Sequence, residues 1–254
     1  SSGRVIAGES GSGGAVMTPK LFATGPASGT YTSNGNQMIA YAASGGGGGG
    51  GCKTSGLSPS VLPSFNRDGG TGGYGVIGMF TSDITPPFSQ PYAVGAGGSA
   101  GSSVSGNNST SGTAGGVTSI DTLFSLNGGN GGGPNNGNNN EGTQGTSGNV
   151  GSGTFLATAP QLNRSKNRFG STNSAIVNSN NPGPSPRNAG SVNVGQIGSP
   201  SDMAFNRSGF MISANAFSAG GRGGLNSGNF GGGQVRVPTQ SGKPGALLIF
   251  DNGS

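Results

Sequence analysis

Apolar side chains in this chain occur in short islands that are separated by long stretches of glycine, serine and asparagine. No window of eleven residues keeps an apolar face at the i, i+3, i+4, i+7 spacing of a helix without an interrupting glycine or proline. The islands are short, rich in β-branched and aromatic residues, and bounded by glycine or proline, which predicts β-strands. They lie at 37–43, 73–80, 90–95, 117–126, 191–197, 209–213, 234–237 and 245–250.

Several islands carry more specific predictions. Residues 73–80 and 90–95 flank a proline-bearing loop and are predicted to pair with each other. Residues 1–30 are punctuated by glycine, serine and proline, which predicts a connecting arm before one domain over 31–254. The stretch 127–153 has almost no side chain able to form a core.

Seven consecutive glycines, Gly45–Gly51, follow directly on the apolar island at 37–43. Ordering such a run costs more backbone entropy than ordering any other heptamer, and a flexible linker would avoid that cost. Glycine lacks a Cβ, so extended glycine helices can pack side by side and bond to one another, as chains do at the collagen axis. The strict Gly-X-Y phase of collagen is absent. A stack of polyglycine-type helices and a set of mobile loops both remain open.

Composition favours glycine as structural material. The chain has 58 Gly among 254 residues, one Cys, no Trp and no His. Leu, Ile, Val and Phe total only 44 residues, too few for an ordinary core of this length. Order must then come largely from backbone hydrogen bonds. The predicted fold class is mainly β with extensive irregular and polyglycine-type extended structure, a glycine-rich sandwich with essentially no α-helix.

Charge and chemistry give few signals. The net charge of +5 suits weak attraction to acidic surfaces and is equally common in proteins that bind no polyanion. The lone Cys52 excludes an internal disulfide framework, and no stretch reaches the length of a membrane span. A start at Ser1 without Met or signal peptide is typical of a fragment or processed product.

Enzyme signals are nearly absent because the commonest general base, histidine, is missing. A carboxylate pair such as Asp68 with Asp83 is the remaining catalytic alternative. Residues 50–54 and 95–100 resemble phosphate-binding glycine loops, but neither is followed by the helix that such loops require. We therefore predict no enzyme, no metal site and no cofactor.

Six glycine-rich motifs follow one another along the chain, at residues 40–51, 72–76, 91–101, 115–120, 127–133 and 242–250. Their order resembles a known family, the glycine-rich domains at the tips of bacteriophage tail fibres, and is similar to the polyglycine-rich adhesins of T-even phages. The resemblance covers about residues 31–252.

This resemblance implies a receptor-binding tip in which a glycine-rich scaffold holds variable loops against the host. The implied location is extracellular, at the tip of the tail fibre of the virion. The implied partners are a bacterial surface receptor (a lipopolysaccharide sugar or an outer-membrane protein) and other tail-fibre subunits, with no nucleic acid. Fibres of this kind are commonly trimeric and adhesins that cap them can be monomers, so a homotrimer and a monomer both remain open. The sequence departs from the family in a long insert at about 154–218.

Recognition of sugars and protein loops is expected from aromatic rings and planar polar groups. Two segments repeat the theme Phe-Asn-Arg, at 65–67 and 205–207. With so few large apolar residues, most Phe are expected in the core, whereas Arg is seldom buried without a partner. The candidate receptor-binding residues are Phe65, Arg67, Phe88, Tyr92, Arg164, Lys166, Arg168, Phe169, Phe205, Arg207 and Phe210.

Two other classes of function compete. Residues 220–224 and 229–233 resemble the Arg-Gly-Gly and aromatic-glycine repeats of low-complexity RNA-binding segments, although Arg222 is the single instance of the first. A passive structural or ice-binding glycine-rich protein would favour a regular repeat, which the sequence lacks.

Overall fold

A computed structural model describes residues 17–52, 69–104, 108–136, 142–158, 204–207, 210–213, 217–228 and 234–253. Within these ranges the chain forms strands, turns and extended segments and no helix. The strands are β1 (Thr18–Thr24), β2 (Ala27–Ser33), β3 (Gln37–Ala43), β4 (Ile77–Asp83), β5 (Phe88–Val94), β6 (Thr118–Ile120), β7 (Phe124–Leu126), β8 (Val150–Ser152), β9 (Phe155–Thr158), β10 (Ala204–Arg207), β11 (Phe210–Ser213), β12 (Leu225–Gly228), β13 (Gln234–Val237) and β14 (Ala246–Asp251).

Two five-stranded antiparallel sheets are built from these strands. Sheet A has the order β1-β14-β3-β4-β9, and sheet B has the order β2-β5-β6-β7-β8. β10 pairs with β11, and β12 with β13, as separate two-stranded hairpins. The prediction of a mainly β fold is confirmed.

The predicted pairing of 73–80 with 90–95 is wrong. β4 lies in sheet A between β3 and β9, whereas β5 lies in sheet B between β2 and β6. Both edges of each strand are therefore taken by other partners. Hydrophobic pattern reports burial and carries no information about which of two packed sheets a strand joins.

Other predicted strands coincide with observed ones. The island at 37–43 is β3, and the islands at 209–213, 234–237 and 245–250 correspond to β11, β13 and β14 within one residue at each end. The island at 117–126 is a hairpin, β6 and β7, closed by a turn at 121–123. In the second half of the segment 1–30, predicted as an arm, β1 joins sheet A and β2 begins sheet B. The island at 191–197 lies outside the described residues.

The alternation of β3 supplies both apolar clusters of the sandwich. Its Met38, Ala40 and Ala42 face sheet B and join the cluster between the sheets, in which the rings of Phe80 on β4 and Phe124 on β7 lie 4.9 Å apart. Its Ile39, Tyr41 and Ala43 belong to a second buried cluster on the opposite face of sheet A. β14, between β1 and β3, is buried at all six positions, as expected for a strand covered on both faces.

Eight extended glycine-rich tracts continue from the ends of the strands. Tract 1 covers residues 45–51, and the others cover 69–75, 95–102, 110–116, 128–135, 142–148, 218–224 and 239–245, numbered 2 to 8 in chain order. They bond almost entirely between tracts, as polyglycine-type threefold helices with no internal hydrogen bonds must do.

Tract 1 is the centre of this lattice and is surrounded by six other tracts. All seven of its N–H groups and all seven of its C=O groups make bonds of 2.7–3.0 Å to backbone atoms of those neighbours. Each neighbour is met at every third residue; Gly45, Gly48 and Gly51, for example, all donate to tract 4. The donors go to antiparallel tracts 2, 4 and 8, and the carbonyls accept from parallel tracts 3, 5 and 7.

The lattice requires glycine because its backbones approach so closely. A Cβ built on Gly48 would overlap the carbonyl group of Ser99, and the other six glycines of tract 1 face comparable overlaps with backbone carbonyls. Backbone angle is not the reason, since Gly153 is the single described glycine with a positive φ, at 87°. The predicted glycine-rich sandwich is therefore observed, as two sheets joined to a lattice of glycine tracts. Tract 1 is the central element of that lattice.

Candidate functional site

The lattice meets the sheets through a small set of buried hydroxyl groups. The Ser44 hydroxyl accepts from Val76 N–H at 2.7 Å and donates to the Asn127 carbonyl at 2.9 Å. Thr118 Oγ1 donates to the Ala43 carbonyl at 2.8 Å, and the Ser218 hydroxyl donates to the Ser44 carbonyl. These bonds join strands to the starts and ends of tracts, so the eight tracts leave the sheets in one direction.

The end of the lattice farthest from the sheets is called the loop end. There, residues within or next to tracts 1, 3, 5 and 8 contact one another. Cys52 forms a β-bridge with Asn135, and its N–H donates to Ser103 Oγ at 3.0 Å. Thr239 Oγ1 donates to the Gly101 carbonyl at 2.7 Å. Tracts therefore run out and back in pairs 1–2, 3–4, 5–6 and 7–8. The connecting segments 53–68, 103–109, 136–141 and 225–238 all begin and end there.

The opposite end of the molecule, the sheet end, contains an open pocket of about 260 Å³. It lies where β1 and β14 of sheet A meet β2 and β5 of sheet B. Its walls include Lys20, Asn34, Phe88 and Ser89, and its floor includes Asp251.

Asp251 is completely buried and connects both sheets at this pocket. Tyr31 Oη donates to Asp251 Oδ2 at 2.6 Å, and Gly253 N–H donates to Oδ1 at 2.9 Å. Lys20 Nζ lies 3.7 Å from Oδ1, so the carboxylate has a counter-ion at the pocket surface. Burial, together with the hydrogen bond to Asp251, raises the pKa of the Tyr31 phenol well above its usual range.

Two of the predicted receptor-binding residues have described side chains, and both are on β5. Phe88 is half-buried, packs 5.8 Å from the ring of Tyr31 and forms one wall of the sheet-end pocket. Tyr92 is half-buried against the core between the sheets, and its ring lies over Gly29, its partner in the β2–β5 ladder. Phe88 is thus available to a ligand in the pocket, while Tyr92 lies outside that lining.

The other predicted residues fall in three places along the chain. Phe65 and Arg67 belong to the connecting segment 53–68, which begins and ends at the loop end. Phe205 and Arg207 are on β10 and Phe210 is on β11. Phe65 and Arg67 lie outside the described residues. So do the remaining candidates, Arg164, Lys166, Arg168 and Phe169.

Sequence reasoning did not select the polar residues of the sheet-end pocket. Lys20 lies in the segment predicted as an arm, and Asp251 follows an apolar strand with no partner close in sequence. Tyr31 and Asp251 are 220 residues apart, so only the pairing of the two sheets brings them together.

Arg222, the residue that carries the resemblance to RNA-binding repeats, lies within tract 7. Its carbonyl accepts from Gln240 N–H at 2.9 Å, and the residue is only 9% exposed. Burial lowers the pKa of its guanidinium from the usual value. Among the described residues, its Nε has no hydrogen-bond partner.

Within the described ranges, no group of three or more His, Cys, Asp or Glu side chains is placed to hold a metal ion. In the part of the chain that the structure describes, no helix has the length and apolar character needed to cross a membrane. Comparison with protein-family models gives no match, and comparison with curated proteins gives none either.

Proposed function

We propose that this protein is the receptor-binding tip of a bacteriophage tail fibre, which attaches to a bacterial surface receptor without catalysis. The observation that carries the proposal is the arrangement of the loop end. Four connecting segments of different length and sequence begin and end on one face of a lattice that is bonded throughout by its backbone. Binding residues are commonly found on loops that a rigid scaffold positions.

The lattice lowers the entropic cost of binding by fixing the ends of these segments before the receptor arrives. Preorganised loops lose less conformational freedom on association, which improves affinity without additional contacts. At the loop end, hydrogen bonds also tie neighbouring segments together. The side-chain amide of Asn136, for example, accepts from the N–H of Ser109 at 2.9 Å and donates to its carbonyl at 3.2 Å.

The sequences of the connecting segments supply suitable chemistry. Segment 53–68 contains Phe65 and Arg67, and segment 225–238 contains Phe230 and Arg236. Aromatic rings and arginine provide large, directional contact surfaces at binding sites. Short segments rich in serine and asparagine, such as 103–109, can supply hydrogen bonds to sugar hydroxyls or to protein backbone.

The sheet end is then the side on which other tail-fibre subunits attach. Thr18 pairs with Asp251 in the β1–β14 ladder, so β1 begins and β14 ends at the sheet end. Attachment there directs the four connecting segments away from the fibre. All seven N–H and all seven C=O groups of tract 1 bond within the chain, so the centre of the lattice is complete in a single copy of the proposed tip.

The experiment compares two replacements of similar kind at different places. In the first, residues 54–67 are replaced by a glycine-serine linker of equal length; in the second, an equal number of residues within 160–200 is replaced. Each protein is tested for co-sedimentation with a panel of bacterial strains and for inhibition of phage infection. We expect the parent and the second variant to bind and inhibit, and the first variant to lose both activities.

Loss of binding in the second variant alone would move the contact region to the insert that contains Arg164, Lys166, Arg168 and Phe169. Absence of bacterial binding by the parent, together with salt-sensitive affinity for RNA, would overturn the proposal in favour of a glycine-rich RNA-binding protein.

A further inference from the structure

The sheet-end pocket has the composition of a saccharide site. It is concave, with a volume of about 260 Å³, just below the usual range of small-molecule pockets, which starts at about 300 Å³. One wall is the half-buried ring of Phe88. Its lining also includes Ser33, Asn34 and Gly253, and Asn34 is exposed.

The electrostatics of the pocket favour an uncharged ligand. Lys20 is the cation in the pocket lining. Its charge is compensated by the buried Asp251 carboxylate, whose Oδ1 lies 3.7 Å from Lys20 Nζ. That distance exceeds hydrogen-bond length, so the ammonium group keeps its N–H donors for a ligand. A bound anion would compete with Asp251 for Lys20, whereas a polyol can accept from the ammonium group without displacing the carboxylate.

The pocket is also held in shape before any ligand binds. The Tyr31 ring supports Phe88 from the protein side, and its hydroxyl group is fixed on Asp251. Asn252 closes the adjacent turn because its Oδ1 accepts from the N–H groups of Asn36 and Gln37 at 2.9 and 3.0 Å. A ligand therefore meets a preformed ring face with polar groups around it, which is the arrangement that orients small ligands.

We propose that this pocket binds a single neutral sugar residue. The apolar face of the pyranose packs on Phe88, and its hydroxyl groups bond to Lys20 Nζ and to the side-chain amide of Asn34. This second site goes beyond the proposed function and does not depend on it. It lies at the sheet end, which the proposed function assigns to other tail-fibre subunits, and its test therefore uses the chain alone, in which that end is uncovered.

The test measures binding of methyl glycosides of glucose, galactose and N-acetylglucosamine by ¹H–¹⁵N NMR titration of the intact chain. At least one probe is expected to shift the amide signals of residues 32–34 and 88–89, with an affinity on the order of millimolar. Phe88→Leu keeps an apolar side chain against Tyr31 but removes the ring, and it should weaken binding about tenfold. Asn34→Trp fills the pocket from an exposed position and should abolish the shifts.

The matched control is Tyr92→Leu, which removes a half-buried aromatic ring from the same strand outside the pocket lining. It should leave the affinity unchanged. The proposal is overturned if no probe shifts these signals in the parent, if Asn34→Trp still binds, or if Phe88→Leu and Tyr92→Leu weaken binding equally. None of these outcomes depends on attachment to bacteria, so failure here is distinguishable from failure of the proposed function.

Discussion

At the scale of single residues, Asp251 and Tyr31 show how this protein stabilises a charge in a small apolar sandwich. The carboxylate has no solvent exposure, yet it receives bonds from the Tyr31 hydroxyl and the Gly253 N–H and has a cation 3.7 Å away. Buried charges are tolerated when they are paired and hydrogen-bonded in this way. The pair joins β2 of sheet B to β14 of sheet A.

Removing the Tyr31 hydroxyl should weaken the fold. Tyr31→Phe leaves Asp251 Oδ2 without its donor, and hydrogen bonds to charged groups are worth about 1.5–3 kcal/mol. We expect a loss of that size in the free energy of unfolding at pH 7, measured by urea denaturation. A variant as stable as the parent would show that the Tyr31–Asp251 bond does not stabilise the sandwich.

The same residue predicts a dependence on alkaline pH. The folded state raises the pKa of Tyr31, so its contribution to stability is fully present below the unfolded-state pKa of about 10 and is lost as pH rises through the higher folded-state value. The parent should therefore lose more unfolding free energy above pH 10 than Tyr31→Phe does. Parallel decline of the two proteins with pH would contradict this assignment.

Gly45–Gly51 and Phe88 illustrate what single positions reveal in sequence and what they do not. Seven glycines after an apolar strand indicated a backbone-bonded scaffold because no other residue permits such close packing. Phe88 could be selected as an aromatic candidate, but its neighbours at the pocket come from four strands. Chemistry that depends on which strands meet cannot be derived from residue type alone.

At the scale of elements, the chain is a series of strands and glycine tracts that alternate. Apolar islands predicted most strands because half-buried and fully buried strands carry distinct patterns. The assignment of strands to sheets was not predictable, as the wrong pairing of 73–80 with 90–95 shows. Sheet membership depends on contacts between distant segments, such as β1 with β14, which local pattern does not record.

The β10–β11 hairpin has an expected role in covering sheet A. The face of sheet A opposite sheet B carries Ile39, Tyr41 and Phe250, and all three are buried. β11 contacts β3, whose two edges are occupied by β14 and β4. Sheet B packs on one face of β3, and both edges of β3 are paired. The hairpin therefore contacts the other face.

Replacing residues 204–213 by a glycine-serine linker should therefore expose this apolar cluster. We expect increased binding of the dye ANS and a melting temperature lower by several degrees, because exposed aromatic surface of this kind costs about 25 cal/mol per Å². The matched control replaces ten residues, 227–236, of the β12–β13 hairpin at the loop end, and it should leave ANS binding unchanged. Equal ANS binding by the parent and the first variant would show that other residues cover this face of sheet A.

This expectation bears on the predicted receptor contacts Phe205, Arg207 and Phe210. If the hairpin covers sheet A, its replacement reduces stability first and bacterial attachment only as a consequence. Attachment by the folded fraction would then be retained. That result would separate these three residues from Phe65 and Arg67 in segment 53–68.

At the scale of the whole molecule, the sheets and the lattice are one continuous hydrogen-bonded body with two different ends. The sandwich buries most of the large apolar side chains that the structure describes, and the lattice orders the glycine-rich tracts through bonds between them. Glycine composition and short strands allowed this division to be predicted in outline. The hexagonal contact of tract 1 with six neighbours was not predictable, because the sequence does not specify which tracts are adjacent.

The central claim is that the glycines are required for close packing and are not present for flexibility. The two explanations predict opposite effects of adding one methyl group to tract 1. In a flexible segment Gly→Ala stabilises by about 0.4–1 kcal/mol, because it restricts the unfolded chain. In the lattice the added Cβ of Gly48→Ala overlaps the Ser99 carbonyl, and rigid backbone on every side prevents relief.

The most direct measurement is the free energy of unfolding of Gly48→Ala beside that of Gly133→Ala. Gly133 lies in the neighbouring tract 5, where an added Cβ would approach Thr143 no closer than 3.2 Å. We predict that Gly48→Ala loses about 4 kcal/mol or more, or fails to fold, while Gly133→Ala stays within about 1 kcal/mol of the parent. A Gly48→Ala protein as stable as the parent, or more stable, would contradict the lattice as the basis of this fold.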